Sequence, residues 1–262
     1  MQSGIAIDSS GNIYVADSWN HRIQKFNSSG VYLSQFGSKG SENGQLLRPD
    51  GITIDTAGNI YVADTDNNRI QKFNSSGVYL SQFGSIGTGN GQLSKPIGIA
   101  LDTAGNIYVA DSWNHRIQKF NSSGVYLSQF GSKGSENGQF HRPSDIALDT
   151  AGNIYVVDQL NDRIQKFNSS GVYISKSRTG DRPRGITIDT AGNIYVTSER
   201  AIQKFRNIPS DSSFFSTANN ILDNTTITYV SKFQIPGNAS AGFGTPNNIA
   251  IDSSGNIYSV ES

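Results

Sequence analysis

The chain has 262 residues, 21 basic and 21 acidic side chains, a formal net charge of zero and no cysteine. The missing thiols exclude disulfides and thiolate metal sites, and the neutral balance supplies no global pull toward nucleic acid or an anionic membrane. No apolar run approaches the roughly 20 residues that span a bilayer, so no membrane insertion is expected; MQSGIAID also lacks a secretory-signal pattern.

The first element is Ile5-Ala6-Ile7, where a small residue alternates with large ones, as the crowded centre of a tapered assembly requires. Asp8 with Gly11-Asn12 reads as a tight turn, because Asp bonds the local backbone and Gly takes positive φ without penalty. Ile13-Tyr14-Val15-Ala16 is apolar on both faces, which fits a sheet stacked between two neighbours. The unit beginning at Gly51 shows the remainder: a polar loop from Asp64 to Asn68, a run from Arg69 to Phe73, a turn at Asn74-Ser75-Ser76-Gly77, and a run from Val78 to Phe83. Short β-branched and aromatic runs punctuated by Gly, Asn, Asp and Ser are strands and hairpins. No segment sustains a helical period.

This unit recurs. Residues 11–45 and 105–139 are the same 35 letters, offset by 94, twice 47. The motif start falls at Gly4, Gly51, Gly98, Asp145, Gly185 and Asn248, with spacings of 47, 47, 47, 40 and 63. Four antiparallel strands per 40–50 residues give the blade of a β-propeller; a four-stranded solenoid is the rival, with shorter repeats. The expected fold is all-β, a six-bladed β-propeller, with units at 1–29, 33–76, 80–123, 127–170, 174–206 and 229–262. In the fifth unit, Ala201 to Phe205 is followed by an insertion at 207–226, and a fourth strand resumes at Ile227 to Phe233. The sixth has two strands, Asn248 to Asp252 and Gly255 to Val260. Either it ends there with an open edge prone to self-association, or the chain is a fragment, and the fragment is expected.

Asp17, Asp64, Asp111 and Asp158 end second strands, and Arg22, Arg69, Arg116 and Arg163 begin third strands five residues later. Such groups can pair bidentately across the loop. In the fifth unit they become Ser198 and Ala201, so both charges vanish together, as a structural pair requires. Asn27, Asn74, Asn121 and Asn168 sit in NSSG turns that are also glycosylation sequons, as are Asn224 and Asn238; turn chemistry accounts for the first four. Arg48, Lys95, Arg142 and Arg182 each precede a proline at a blade's start, with Arg184 and Arg200 nearby. Around a ring they would favour an anionic ligand or an acidic partner, unless each pairs with a loop acid such as Glu42 or Glu136 or is simply solvated. Trp19 and Trp113, in the loops between second and third strands, would stack on a ligand or cover the seam between blades, the expected role.

The run Asn20-His21-Arg22-Ile23 inside GNIYVADSWNHRIQKF, with GQL..P.GI.ID before later copies, resembles NHL-repeat β-propellers. The Asn-His pair recurs as Asn114-His115 and becomes Asn67-Asn68 and Asn161-Asp162. The resemblance covers the chain except about 207–226, and it implies the propeller fold, not one activity. Peptide-amidating lyases of the family bind zinc through histidines near the channel. Here His21 and His115 occupy equivalent loops two units apart, so convergence with His141 on one zinc is not expected, and packing and hydrogen bonding are. Asp145 and Asn248 stand where the ring faces its axis, with Asp50 and Asn247 one residue earlier. By analogy with lactonase and esterase propellers, they would offer oxygen ligands to calcium, though two or three ligands are few.

The expectation is therefore a non-enzymatic scaffold, without a cofactor, that recognises a protein or anionic ligand through loops near the channel mouth. The alternatives are a lyase or metal-dependent hydrolase at that mouth, and single-stranded RNA binding as in animal relatives, which the neutral charge weakens. Low charge with abundant Ser, Asn, Thr and Gly points toward an exported protein.

Overall fold

The computed structural model describes residues 3–180, 182–198, 201–206 and 246–261. The first sheet has β1 (Ile5–Ile7), β2 (Ile13–Asp17), β3 (Arg22–Phe26) and β4 (Tyr32–Phe36). The second has β5 (Pro49–Ile54), β6 (Ile60–Asp64), β7 (Arg69–Phe73) and β8 (Tyr79–Phe83), and the third β9 (Pro96–Leu101), β10 (Ile107–Asp111), β11 (Arg116–Phe120) and β12 (Tyr126–Phe130). The fourth has β13 (Pro143–Leu148), β14 (Ile154–Asp158), β15 (Arg163–Phe167) and β16 (Tyr173–Arg178). The fifth shows β17 (Ile186–Ile188), β18 (Asn193–Thr197) and β19 (Ile202–Arg206), and the last β20 (Pro246–Ile251) and β21 (Ile257–Glu261). Every sheet is antiparallel in sequence order. Four sheets are thus four-stranded, one is three-stranded and one two-stranded among the described residues. The expected insertion at 207–226 and the expected strand from Ile227 to Phe233 lie outside them.

Local chemistry fixes the hairpins. Asp8 Oδ1 accepts the Ser10 and Asn12 amides at 2.9 and 2.8 Å, and Oδ2 accepts Asn12 Nδ2 and the Tyr14 hydroxyl. Burial pushes the Asp8 pKa up, but these donors outweigh it and hold the carboxyl below its ordinary value. In the NSSG turns the Asn27 side chain accepts the Ser29 and Val31 amides, the same turn chemistry without a charge. The polar loop between second and third strands forms one 3-10 turn in each of the first four sheets, as at Ser18–Asn20, and ends on a left-handed residue.

Second strands are buried along their whole length, and the apolar clusters lie between sheets. Tyr14, Ala16 and Ile23 of the first pack on Ile52, Val62 and Phe73 of the second, with Leu46 of the connecting loop sealed between them. Phe36, Phe83 and Phe130 of outer strands tilt onto Phe73, Phe120 and Phe167 of the next sheet, centroids 4.7–4.8 Å apart. The ring closes: β1 touches β20, and Ile5, Ile13 and Val15 share a cluster with Ala250 and Val260. The inner strands of all six sheets surround an axial channel of about 220 Å³. This is a β-propeller, and no helix among the described residues is long and apolar enough to cross a membrane.

Glycine tightens the ring at the start of the inner strands. A Cβ at Gly51 would lie 2.0 Å from the Ile97 carbonyl oxygen, and one at Gly4 would lie 2.3 Å from that of Asp50. The Gly4 amide uses that proximity to donate to the Asp50 carbonyl at 2.7 Å.

Candidate ligand-binding face

Four ion pairs close the loops on the face where inner strands begin. Arg22, Arg69, Arg116 and Arg163 donate through Nε to Oδ2 of Asp17, Asp64, Asp111 and Asp158 at 2.7–2.8 Å. The contact is single, not the expected bidentate fork, and in Arg69, Arg116 and Arg163 both remaining guanidinium nitrogens are engaged elsewhere. Arg69 Nη2 donates to the Glu42 and Gln45 carbonyls at 2.9 and 3.0 Å, and Nη1 to Gln82 Oε1. Asp64 Oδ1 accepts the Leu47 amide at 2.6 Å, while Oδ2 also accepts from Gln71 and Asn67. The pairs of the second, third and fourth sheets each pin the loop arriving from the preceding blade. In the fifth sheet the Ser198 amide and hydroxyl both bond the Ala201 carbonyl, at the positions where the other sheets have the pair.

The NHRI position has a second duty. His21, Asn68, His115 and Asp162 are all left-handed, with φ of 50–56°, a region that Asn, Asp and His tolerate best among residues with a Cβ. Their side chains accept the amides of Arg48, Lys95, Arg142 and Arg182 at 2.8–3.1 Å. Those four cations are themselves left-handed, with φ of 48–59°, so the backbone holds each one at a fixed place on the rim.

Turn residues of adjacent blades then flank three of them. Arg48 lies over Trp19, 5.2 Å from the ring centroid, and 3.7 Å from Asp66. Lys95 contacts Asp66 at 2.9 Å and sits 5.9 Å from Trp113. Arg142 stacks on Trp113 at 5.6 Å, and the matching residue of its own blade is Leu160. Two expectations change here. The acid that compensates the cations is Asp66, while Glu42 and Glu136 present backbone carbonyls to Arg69 and Arg163. The tryptophans do not cover the seam: Trp19 and Trp113 are 68% and 54% exposed and support cations instead.

Around Arg142 the surface is concave. Trp113, His115, Lys133, His141 and Arg142 line a cavity of about 250 Å³. The His115 and His141 rings are 5.5 Å apart, tilted by 50°. Burial first, then the neighbouring His141, Lys133 and Arg142, hold the His115 pKa below its ordinary value, against a smaller opposing pull from Asp158. No carboxylate lies within salt-bridge distance of Arg142 among the described residues. His21 remains with Arg48 on another blade, so the three histidines do not meet.

At the channel mouth Asp145 and Asn248 line the lumen as expected. Both Asp145 oxygens accept backbone amides, from Ile146 at 2.9 Å and Ile186 at 3.0 Å, and Asn248 Oδ1 accepts its neighbour Ile249 at 2.7 Å. Burial pushes the Asp145 pKa up to about 7, although the Ile186 and Ile146 amides and Asn248 pull against it. Asp50 reaches about 7 for the same reason, burial outweighing Ser18 and Arg48. The described residues contain no group of three or more His, Asp or Glu arranged for a metal ion. Arg184 belongs to this rim, not to the cation arc, since Nη1 donates to Asn247 Oδ1 at 2.5 Å. Arg200 lies outside the described residues.

The NHL repeat model matches residues 3–26, 46–73 and 93–120, and a beta-propeller repeat model matches 172–199. The β-propeller thus carries stretches that match the NHL repeat. The chain is similar to the protein brain tumor of Drosophila melanogaster, 46% identical over 48 residues, which span 18% of this chain and 5% of that protein. Among solved structures, virginiamycin B lyase from Staphylococcus aureus superposes with a TM-score of 0.59 at 17% identity, over 77% of this chain and 65% of that one. A chain of a nidogen/laminin complex gives 0.64 at 20% identity over 77% and 74%. At these identities the propeller shares a fold with both. The sequence missed the His115–His141 contact and the exchange of Asp66 for Trp113. Its available signal was the alignment of 19, 66, 113 and 160, one of three variable places in an otherwise repeated loop.

Proposed function

We propose that this propeller is a binding scaffold that recognises an anionic ligand, or an acidic segment of a partner protein, at the Trp113–Arg142 cavity. One observation carries the assignment. Asp66 compensates Arg48 and Lys95, whereas Arg142 has Trp113 and Leu160 as flanking turn residues. Positive potential is thus concentrated where a concave wall and an exposed ring also occur, the combination that captures a carboxylate-bearing or oxyanion ligand. That a nidogen/laminin complex shares the fold agrees with a protein-binding use.

Titration calorimetry with hexaglutamate peptide tests this. Leu160→Asp recreates the Asp66 arrangement beside Arg142 and is expected to weaken binding about tenfold, with the melting temperature unchanged. Arg142→Glu is expected to weaken it further. Equal affinity in all three proteins would reject the assignment. A second reading, a propeller lyase or metal-dependent hydrolase, draws on the His115–His141 pair and on the fold shared with a lyase. Stoichiometric zinc or calcium surviving dialysis and lost in His141→Leu would favour it.

A further inference from the structure

The cavity beside Arg142 has a lopsided hydrogen-bonding inventory. Its five side chains come from two places, the turn after β10 (Trp113 and His115) and the loop that leads into β13 (Lys133, His141 and Arg142). Lys133, Arg142 and the Trp113 indole can only donate. His115 Nδ1 already accepts the Arg142 amide at 3.1 Å, so the neutral ring carries its proton on Nε2 and donates as well. Burial, which holds the His115 pKa below its ordinary value, favours that neutral form. Among these five side chains, one His141 nitrogen remains as an acceptor.

Neighbouring carboxylates do not balance the donors. Asp158 Oδ1 takes the His141 amide at 2.6 Å, and Oδ2 takes Arg163 at 2.7 Å. Neither Lys133 nor Arg142 has a salt-bridge partner among the described residues. Arg142 Nε is closed off from solvent and makes no hydrogen bond, which is exceptional for a buried donor. The sister copy is built differently. Trp19, His21, Lys39 and Arg48 recur there, but Leu47 stands at the place of His141, and Asp66, 3.7 Å from Arg48, at the place of Leu160.

Given that this cavity is the ligand site, as the reading above has it, we propose that it selects a phosphate monoester over a carboxylate. The ester presents three terminal oxygens in a tetrahedral array, accepts without donating, and carries about −1.5 to −2 charges at neutral pH. A carboxylate presents two coplanar oxygens and one charge. Guanidinium, ammonium and imidazole N–H groups drawn from separate chain positions match the larger charge and the greater number of acceptors. Arg142 Nε gains the acceptor that the protein does not give it.

Calorimetric titration of the intact chain at about pH 7.5, where the ester is mostly dianionic, tests this with two pairs of probes. Glycerol 3-phosphate against glycerate reads a small-molecule or headgroup phosphate. The peptide Gly-Gly-phosphoserine-Gly-Gly against its glutamate counterpart reads a phosphorylated polypeptide. In at least one pair the phosphate is expected to bind about tenfold tighter or more. His115→Asn keeps an acceptor for the Arg142 amide, as Asn68 does for Lys95, and removes Nε2–H. Lys133→Gln removes one exposed cation. Each is expected to weaken phosphate binding about tenfold with the melting temperature unchanged, whereas Lys39→Gln in the sister copy leaves it unaltered. Equal affinity within both pairs overturns the proposal, as does undiminished phosphate binding in both variants. If hexaglutamate still binds and still weakens in Leu160→Asp, the ligand site stands and its preference alone is rejected. No saturation by any probe rejects site and preference together.

Discussion

Asp50 and Asp145 are carboxyls that burial holds at a pKa of about 7, from an ordinary 3.8. Below 3.8 both are protonated, folded or unfolded, and neither favours one state. As pH rises toward 7 the unfolded carboxyls ionise first, so unfolding is increasingly favoured, and above 7 the effect is complete. The turn aspartates Asp8, Asp102, Asp189 and Asp252 act oppositely: their lowered pKa values stabilise the fold above 3.8, and this is lost as acid protonates them. Stability is therefore expected to peak at mildly acidic pH and to decline toward neutrality. Asp145→Asn should remove about half of that decline, although losing one accepted hydrogen bond costs about 1 kcal/mol. Urea midpoints measured across the range check this; an undiminished decline in the variant would contradict it. At this scale the sequence was legible wherever a residue acts on its own turn, as Asp8 and Asn27 do. It was opaque at His21, Asn68, His115 and Asp162, whose shared property is an acceptor that reaches a blade 20 or 27 residues away.

Among the elements, strands were legible because period and punctuation agree: Ile60 to Ala63 is apolar and buried, and Asp55 with Gly58 closes the hairpin before it. The Asp–Arg pairs were legible as pairs, since the fifth blade drops both charges together. Their purpose was not, because it lies in the backbone of another element. Removing one partner of a buried pair strands the other. Asp64→Asn is accordingly expected to destabilise by about 3 kcal/mol, and Asp64→Asn with Arg69→Met by less than the sum of the two single changes. Denaturant unfolding in a double-mutant cycle measures the coupling. Strict additivity would mean that the Leu47, Glu42 and Gln45 contacts act independently of the ion pair.

At the level of the whole molecule, closure depends on how nearly the inner strands approach one another. Gly51→Ala places a methyl against the Ile97 carbonyl and is expected to lower stability by about 3 kcal/mol or more. Gly138→Ala, which meets nothing within 4 Å but has φ of 80°, should cost only about 1 kcal/mol. Thermal melts of the two variants rank them, and the reverse order would mean that the ring relaxes freely. The clasps on the connecting loops hold main-chain atoms at Glu42, Gln45, Gly89, Gln92, Glu136 and Gln139. Side-chain identity at Glu42 and Glu136 is consequently free of that duty, whereas Gln45, Gln92 and Gln139 also accept the amides of Glu42, Gly89 and Glu136. Gene duplication can copy a blade wholesale, as the 35 identical letters attest, and drift can afterwards redecorate its rim without loosening the joint. Trp113 and His141 line one cavity, where the sister copy has Trp19 and Leu47 at the equivalent positions: two moulds from a single casting, finished for different customers.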